Sequence, residues 1–288
     1  ALPVHASGSR VGFSLSGVRY SIVEPGLRDL DANGSAVAAQ LTLEQPLLRS
    51  LASALALRLS LVHKILRDRI DSQSLREDRH IDAVQLALRG QWRAPRRPGS
   101  MTTWSLSVTR GRVGFDDNMA EDADAGNLRT RGGYTRYNLD LAHEEPLTQR
   151  LSLQGRMLLQ TASKNLDAAE RVIIGGANAL RPFGDRPTSA DEAALFGLDL
   201  RYRIPAAPLP ALTVGMFADF AVGHASRRAD PVAGGNLVRG ATLGICADAL
   251  LPYDTTLRVS LSSQHAEPRD SGSRSWGGRG WIELIKSF

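Results

Sequence analysis

Two residues in the second half of this chain, Arg181 and Asp219, could join a loop to a strand through a charge-assisted bond. The pair Gly175-Gly176 precedes the arginine and permits a sharp change of chain direction. A guanidinium can donate two parallel hydrogen bonds to one carboxylate, so such a pair would hold a long loop in one place. The neighbouring residues are Leu180, Pro182, Phe183 and Gly184 around the arginine, and Phe217 and Ala221 around the aspartate.

A simpler interpretation of both charges stays open. Arg181 could be a solvated loop cation and Asp219 one of many polar residues on a water-facing wall, since exposed ion pairs contribute little. Pro182 fixes its own backbone and restricts the arginine before it, so it also affects the shape of the loop tip.

Other groups capable of chemistry are poorer candidates. The six histidines show no metal-ligand spacing, and neither a Gly-x-Ser-x-Gly motif nor a phosphate-cradling loop occurs. The acidic residues Glu121, Asp122 and Asp124 could bind a cation, but keeping an exposed loop soluble is the simpler role. Cys246 is the single cysteine and is predicted to be a small interior filler. We therefore predict no enzyme activity, no cofactor and no metal.

Composition excludes several classes of protein. The 288 residues are 42% hydrophobic and 6% aromatic, which excludes a disordered chain. The most apolar stretch, Leu51 to Val62, is interrupted by polar residues, so no run of about eighteen apolar residues predicts a membrane-spanning helix. The net charge of +5 comes almost wholly from arginines that are scattered along the chain, which argues against nucleic-acid binding.

The elements that must position these residues are long strands. Leu51 to Leu61 alternates apolar residues with small or polar ones, and this period of two recurs in about twelve segments of roughly nine to thirteen residues. One face of each segment carries Leu, Val and Ile, and the other carries Arg, Gln, Ser, Thr and Asp. A sheet that crosses a lipid bilayer must be closed, so the pattern predicts an all-β protein, a transmembrane antiparallel outer-membrane β-barrel.

The connections alternate between short and long, as periplasmic turns and extracellular loops do in outer-membrane barrels. We expect a bulge near Gly17, a tight turn from Gln45 to Ser50 with Pro46 as turn former, and a polar loop from Lys64 to Arg79. An acidic loop spans 116–133, and a long insertion at about 161–192 carries the arginine motif.

The sequence Leu180-Arg181-Pro182-Phe183 after the glycine pair resembles the loop motif of the two-partner secretion transporters, the TpsB-type haemolysin secretion/activation family. In that family a Gly-Gly pair precedes Val-Arg-Gly-Tyr/Phe, and the arginine is matched by an aspartate in a Phe-x-Asp-x-Gly strand motif. Phe217, Asp219 and Ala221 stand at the strand-motif positions. Two departures are Pro182 and Ala221, each in place of a family glycine. The final residue, Phe288, resembles the terminal aromatic that the barrel-assembly machinery reads.

The resemblance implies a pore that secretes, and in some members activates, a large exoprotein of haemolysin, haemagglutinin or adhesin type. The implied location is the outer membrane of a Gram-negative bacterium, with bilayer, lipopolysaccharide and assembly machinery as further partners and with no cofactor. A loop latched by Arg181 and Asp219 would lie in the lumen. Residues 1–288 are expected to form the C-terminal part of one barrel, about twelve of sixteen strands, without the signal and POTRA modules that family members carry.

Two other functions stay open at this point. A related superfamily member could insert barrel proteins into the membrane instead of secreting a partner. A soluble β-rich adhesin or binding module would share the alternation, although it would not need long strands with a lipid-compatible face. A simple porin would not need the two matched motifs.

Overall fold

The computed structural model describes residues 2–3, 7–21, 32–70, 75–175, 188–205, 211–228, 236–267 and 275–286. Its strands are β1 (Leu2–Pro3), β2 (Arg10–Ser21), β3 (Ala32–Arg49), β4 (Ser53–Ile70), β5 (Leu75–Arg93), β6 (Met101–Phe115), β7 (Gly132–Pro146), β8 (Leu151–Ala162), β9 (Val172–Ile174), β10 (Thr188–Ala190), β11 (Glu192–Ile204), β12 (Ala211–His224), β13 (Leu237–Leu251), β14 (Thr255–Glu267) and β15 (Ser275–Lys286). An α-helix, α1 (Asn118–Gly126), and a 3₁₀ turn (Ala168–Glu170) complete the described elements.

Thirteen strands form one antiparallel sheet in which each strand pairs with its neighbours along the chain. The order is interrupted once, where β8 pairs with β11 because β9 and β10 form a separate two-stranded ribbon. Strands joined by short connections pair antiparallel without any crossover, which explains the simple order. The expected all-β architecture, an antiparallel sheet of about twelve long strands, is confirmed.

The two faces of the sheet differ as the alternation predicted. On β11 and β12 one face, here called the outer face, exposes Leu198 and Met216, which are 50% and 64% accessible. The opposite, interior face buries Leu195 and Phe217 to 2% and 4%. An outer face with so many exposed large apolar side chains suits a lipid environment. Within the described residues, no helix has the length and apolar character needed to cross a membrane.

Pro46 lies inside β3, so the prediction that it forms a turn is wrong. The register between β3 and β4 shifts between Pro46 and Leu48, and the chain turns only after Arg49. Proline has no N–H to donate to a neighbouring strand, and a bulge is where a sheet tolerates that loss.

The predicted bulge near Gly17 is also wrong, because the register from β2 to β3 runs without a shift. The change of parity in the sequence has another cause: Tyr20 lies on the interior face, where its hydroxyl bonds to Asp68. Likewise, most of the predicted polar loop from Lys64 to Arg79 is strand, since β4 continues to Ile70 and β5 begins at Leu75.

The acidic loop between β6 and β7 is held by its own carboxylates. The Asp117 side chain accepts a hydrogen bond from the Met119 N–H at the start of α1. The Asp124 carboxylate accepts bonds from the backbone and hydroxyl of Thr130 and from the backbone of Arg131. These bonds fold the loop around two of its acidic residues, Asp117 and Asp124.

Aromatic rings on the interior face fill the space above glycines on neighbouring strands. Tyr134 covers Gly111, where an added Cβ would lie 2.5 Å from the ring. Phe217 covers Gly244, where the corresponding distance is 2.3 Å. Tyr134 belongs to a buried cluster with Leu66, Ile81, Val113, Ala162 and Leu166. Glycine is therefore required at these positions to admit the ring.

We predict that Gly111→Ala lowers the stability of the folded barrel by about 1–3 kcal/mol, because the methyl group would displace the buried Tyr134 ring. The measurement is the temperature at which the compact band on a heat-modifiable gel converts to the unfolded band. Gly155→Ala is the matched control, since nothing lies within 4 Å of a Cβ at that position. Equal conversion temperatures for the two variants would contradict the packing role of Gly111.

Candidate functional site

The chain between β8 and β11 folds back against the interior face of the sheet. The ribbon of β9 and β10 pairs Val172 with Ala190 and Ile174 with Thr188. Its apolar side chains pack in one cluster with wall residues of the sheet: Ala193, Leu195, Ala221 and Val238, with Ala225 and Leu158 beside them. The burial of an apolar cluster thus holds the ribbon against β11, β12 and β13.

Glu170, at the end of the 3₁₀ turn, brings together two cations from distant strands. Its side chain is only 3% accessible, and its carboxylate lies 2.7 Å from the Lys64 Nζ of β4 and 2.9 Å from the Arg136 guanidinium of β7. The same cations donate to backbone carbonyls of the turn, Lys64 to Ala169 and Arg136 to Glu170 itself. A carboxylate buried to this extent requires such partners.

Asp167 makes a second anchor at the other end of the turn. Its carboxylate accepts a hydrogen bond from the Arg79 Nε of β5 at 2.5 Å and another from the backbone of Ala169. Arg79 is itself buried and also contacts Asp68 at 2.7 Å and Glu77 at 3.0 Å. One buried guanidinium therefore ties the turn to the long β4–β5 hairpin.

Asp191, just before β11, closes the base of the segment. Its carboxylate lies 3.0 Å from the Arg171 Nε and accepts backbone hydrogen bonds from Leu166 and Arg227. Burial raises the pKa of Asp191 above its ordinary value, while Arg171 and the two backbone donors act in the opposite direction. These bonds join both ends of the insertion to the β12–β13 connection.

The part of the insertion that precedes the ribbon is called the stem, and the residues that anchor it are called the stem clamp. The stem clamp consists of Lys64, Arg79, Arg136, Asp167, Glu170 and Asp191. Sequence analysis missed it, because it placed 64–79 in a loop. The sequence did contain a signal for two of these residues. If the alternation of β4 and β5 is continued through 64–79, Lys64 and Arg79 fall on the same interior face as Leu66. Their partners lie 106 and 88 residues further along the chain, so no local pattern could identify them.

The predicted motif residues are partly within the described chain. Gly175 is buried at the end of the ribbon with a φ of 109°, a conformation that favours glycine. Gly176, Leu180, Arg181, Pro182, Phe183, Gly184 and the terminal Phe288 lie outside the described residues.

The strand motif lies wholly within β12 and on the interior face. Asp219 is 3% accessible, between Gly197 of β11 and Thr242 of β13. Ala221, two residues further on, is fully buried in the cluster that holds the ribbon. Cys246 faces the same interior, is buried and packs opposite Gly215. Within the described segments, no group of three or more histidine, cysteine or acidic residues could hold a metal ion.

A cavity of about 830 Å³ lies between the ribbon and the half of the sheet near its short turns. Its charged lining includes Glu44, Arg58, Arg89, Asp140 and Arg156, and Ile173 of the ribbon reaches its wall. Arg58 pairs with Glu44 at 2.5 Å, and Arg156 lies 3.3 Å from Asp199. The cavity therefore has walls that are partly charged and partly apolar, and the ribbon partly closes it.

Comparison with known proteins gives one family. The profile described as "Haemolysin secretion/activation protein ShlB/FhaC/HecB" matches residues 5–247. The "Heme/hemopexin transporter protein HuxB" of Haemophilus influenzae strain 86-028NP is 22% identical over 246 residues, covering 84% of this chain and 42% of the relative. In Haemophilus influenzae strain ATCC 51907, the protein of the same name is 21% identical over 264 residues, 91% of this chain and 46% of its own length.

Two solved structures share the fold. CdiB from Acinetobacter baumannii superposes with a TM-score of 0.67 at 19% identity, covering 96% of this chain and 47% of that one. CdiB from Escherichia coli gives a TM-score of 0.69 at 16% identity, with 96% and 49% covered. The chain therefore spans less than half the length of these curated relatives and solved structures.

We predict that Glu170→Gln loosens the stem clamp, because a neutral amide would leave the half-buried Lys64 and Arg136 without their counter-charge. Cleavage after Lys164 and Arg171 by trypsin, added to membranes containing the full-length protein, should become at least about tenfold faster. The matched control is Glu145→Gln, whose partner Arg97 is 71% accessible. Equal cleavage rates for Glu170→Gln and the unaltered protein would show that the ion pairs do not hold the stem.

Proposed function

Since the chain belongs to the haemolysin secretion/activation protein family (ShlB/FhaC/HecB type), we propose that it forms the wall of an outer-membrane pore that secretes a large partner exoprotein. The observation that carries the proposal is the match over residues 5–247 combined with a sheet that is apolar outside and polar inside. The partner is a TpsA-type exoprotein of haemolysin, haemagglutinin or adhesin type. Passage needs no nucleotide or cofactor in this scheme.

We propose that the chain between β8 and β11, which folds back against the interior face, obstructs and gates the pore. Two observations support this proposal. The ribbon packs against β11–β13, and a cavity remains on the opposite side, between Ile173 and the interior arginines. An unfolded chain would pass where the cavity lies, and the ribbon would have to shift to widen it. The charged side chains in the lining suit a polypeptide in transit, because they can hydrogen-bond to its backbone groups.

The tip of the segment is proposed to be latched by Arg181 on Asp219. The ribbon packs on Ala221. Ala221 and Asp219 share a face of β12 and lie about 7 Å apart along the strand. The twelve residues 176–187, which include Arg181, connect Gly175 of the ribbon to Thr188. A connection of this length that starts beside Ala221 has ample reach to the aspartate. The burial of Asp219 favours a cationic partner.

The stem clamp and the tip latch would then act separately. The clamp attaches the insertion to β4, β5 and β7, whereas the latch attaches its tip to β12. Release of the tip alone would allow the ribbon to move while the stem stays in place. This division gives a gate that can open without unfolding the wall.

Export is tested by deleting the gene that encodes the full-length protein and following the TpsA-type exoproteins that the cell secretes. The expected result is loss of the exoprotein from the medium and its retention in the periplasm. Undiminished secretion in the deletion strain would overturn the proposed function. Loss of other barrel proteins from the outer membrane, with secretion affected only secondarily, would favour the insertase alternative instead.

The latch is tested by Arg181→Ala, which we predict to lower export by about tenfold or more while the barrel still assembles. Asp219→Ala should have the same effect, and the double variant should be no worse than either single variant, since both remove one interaction. Arg227→Ala is the control: this loop arginine pairs with Glu192 but is 47% accessible. Normal export by Arg181→Ala, or additive losses in the double variant, would contradict the latch.

A further inference from the structure

A groove of about 840 Å³ runs across the outer face of β2 to β7. It crosses β3, β4 and β5 near their midpoints, and it reaches β6 and β7 near the end that carries the long connections. Its apolar part is a cross-strand row of exposed side chains, in register from one strand to the next: Phe13, Leu41, Leu61 and Val84. Arg110 continues this row on β6, directly opposite Val84. On β6 this apolar row thus ends at a cation.

On β4 to β6, the next row toward the long connections is charged. It runs from His63 through Asp82 to Arg112, which is paired with Gly133 of β7. The His63 Nδ1 and the Asp82 carboxylate are hydrogen-bonded to each other at 2.7 Å. Beyond Arg112 the glycines Gly132 and Gly133 have no side chains, so that side of the groove stays open.

Both arginines are exposed, and their charges are not neutralised by close contacts. The Arg110 guanidinium donates to the Thr135 hydroxyl at 2.8 Å, and no carboxylate in the described part of the chain lies within 4 Å of either guanidinium. Asp82 is the nearest acidic neighbour along the row, and it is already bonded to His63. By contrast, the arginines of the interior face, such as Arg58 and Arg79, have carboxylate partners.

We propose that this groove binds a phosphorylated lipid of the outer leaflet, the lipid A part of lipopolysaccharide. An exposed arginine pair at the edge of an apolar band matches a phosphate held above acyl chains: the guanidinium forks bind the phosphate and the apolar row supports the chains. The long connections define the extracellular side of such barrels, which is the side where lipopolysaccharide lies. The inference rests on the outer-membrane location in the proposed function.

The test is a titration of the full-length transporter, purified in detergent, with bisphosphorylated lipid A, followed by native mass spectrometry. Arg110→Gln/Arg112→Gln should bind lipid A about thirtyfold more weakly, since each cation near a membrane surface contributes on the order of fivefold. The matched control is Arg96→Gln/Arg97→Gln, which removes the same charge from the short turn at the opposite end of the sheet. Phe13→Ala should weaken binding of lipid A by about tenfold.

Three results would overturn the proposal. The first is equal lipid A affinity in the Arg110/Arg112 variant and the unaltered protein, with gel mobility showing both folded. The second is equal competition by phosphatidylglycerol, which would indicate a site for any anionic lipid. The third is displacement of lipid A by inorganic phosphate at the same concentration, which would remove the role of the apolar row. No exoprotein is present in the titration, so the measured lipid A affinities would be the same even if the proposed export function were wrong.

Discussion

The buried carboxylate of Glu170 requires cationic partners, and this requirement fixes the course of the chain between β8 and β11. The partners Lys64 and Arg136 come from β4 and β7, so the turn that carries the carboxylate must lie across the interior of the sheet. Asp167 repeats the arrangement with Arg79 of β5. The ribbon beyond the turn is thereby delivered to the wall of β11 to β13, where its apolar side chains are buried.

The chain separates two kinds of charge by the face on which they stand. Interior guanidiniums form pairs and networks, as in Arg201–Asp248–Arg258, with distances of 2.5 and 2.8 Å. Small residues make these contacts possible, since Arg201 passes beside Gly215 to reach a strand beyond its neighbour. On the outer face, Arg110 instead lies at the β6 end of a row of apolar side chains. The same residue type therefore stabilises the wall on one face and meets the surroundings on the other.

Alternation at the level of single strands made most of the fold predictable. Leu51 to Leu61 could be assigned to a strand because its period is two, and β4 confirms it. Pro46 was placed in a turn because proline usually ends strands, but a bulge accommodates it. The stem clamp could not be predicted, because its contacts from Lys64 and Arg79 join residues about a hundred positions apart that only the folded sheet brings together. The Arg181–Asp219 pair stays a prediction.

The neighbour-to-neighbour order of the sheet bears on how the protein acquires its structure. Apart from the β8–β11 pair, which spans the insertion, every hairpin forms from residues that are close in the chain, so the entropy lost in closing each one is small. The bond between Lys64 and Glu170 is different, since it encloses β5 to β8 in one large loop. Closing a loop of this size costs more entropy than closing a hairpin, so we expect this contact to form after the four strands that it encloses have paired. The contact would then serve as a marker of their correct assembly.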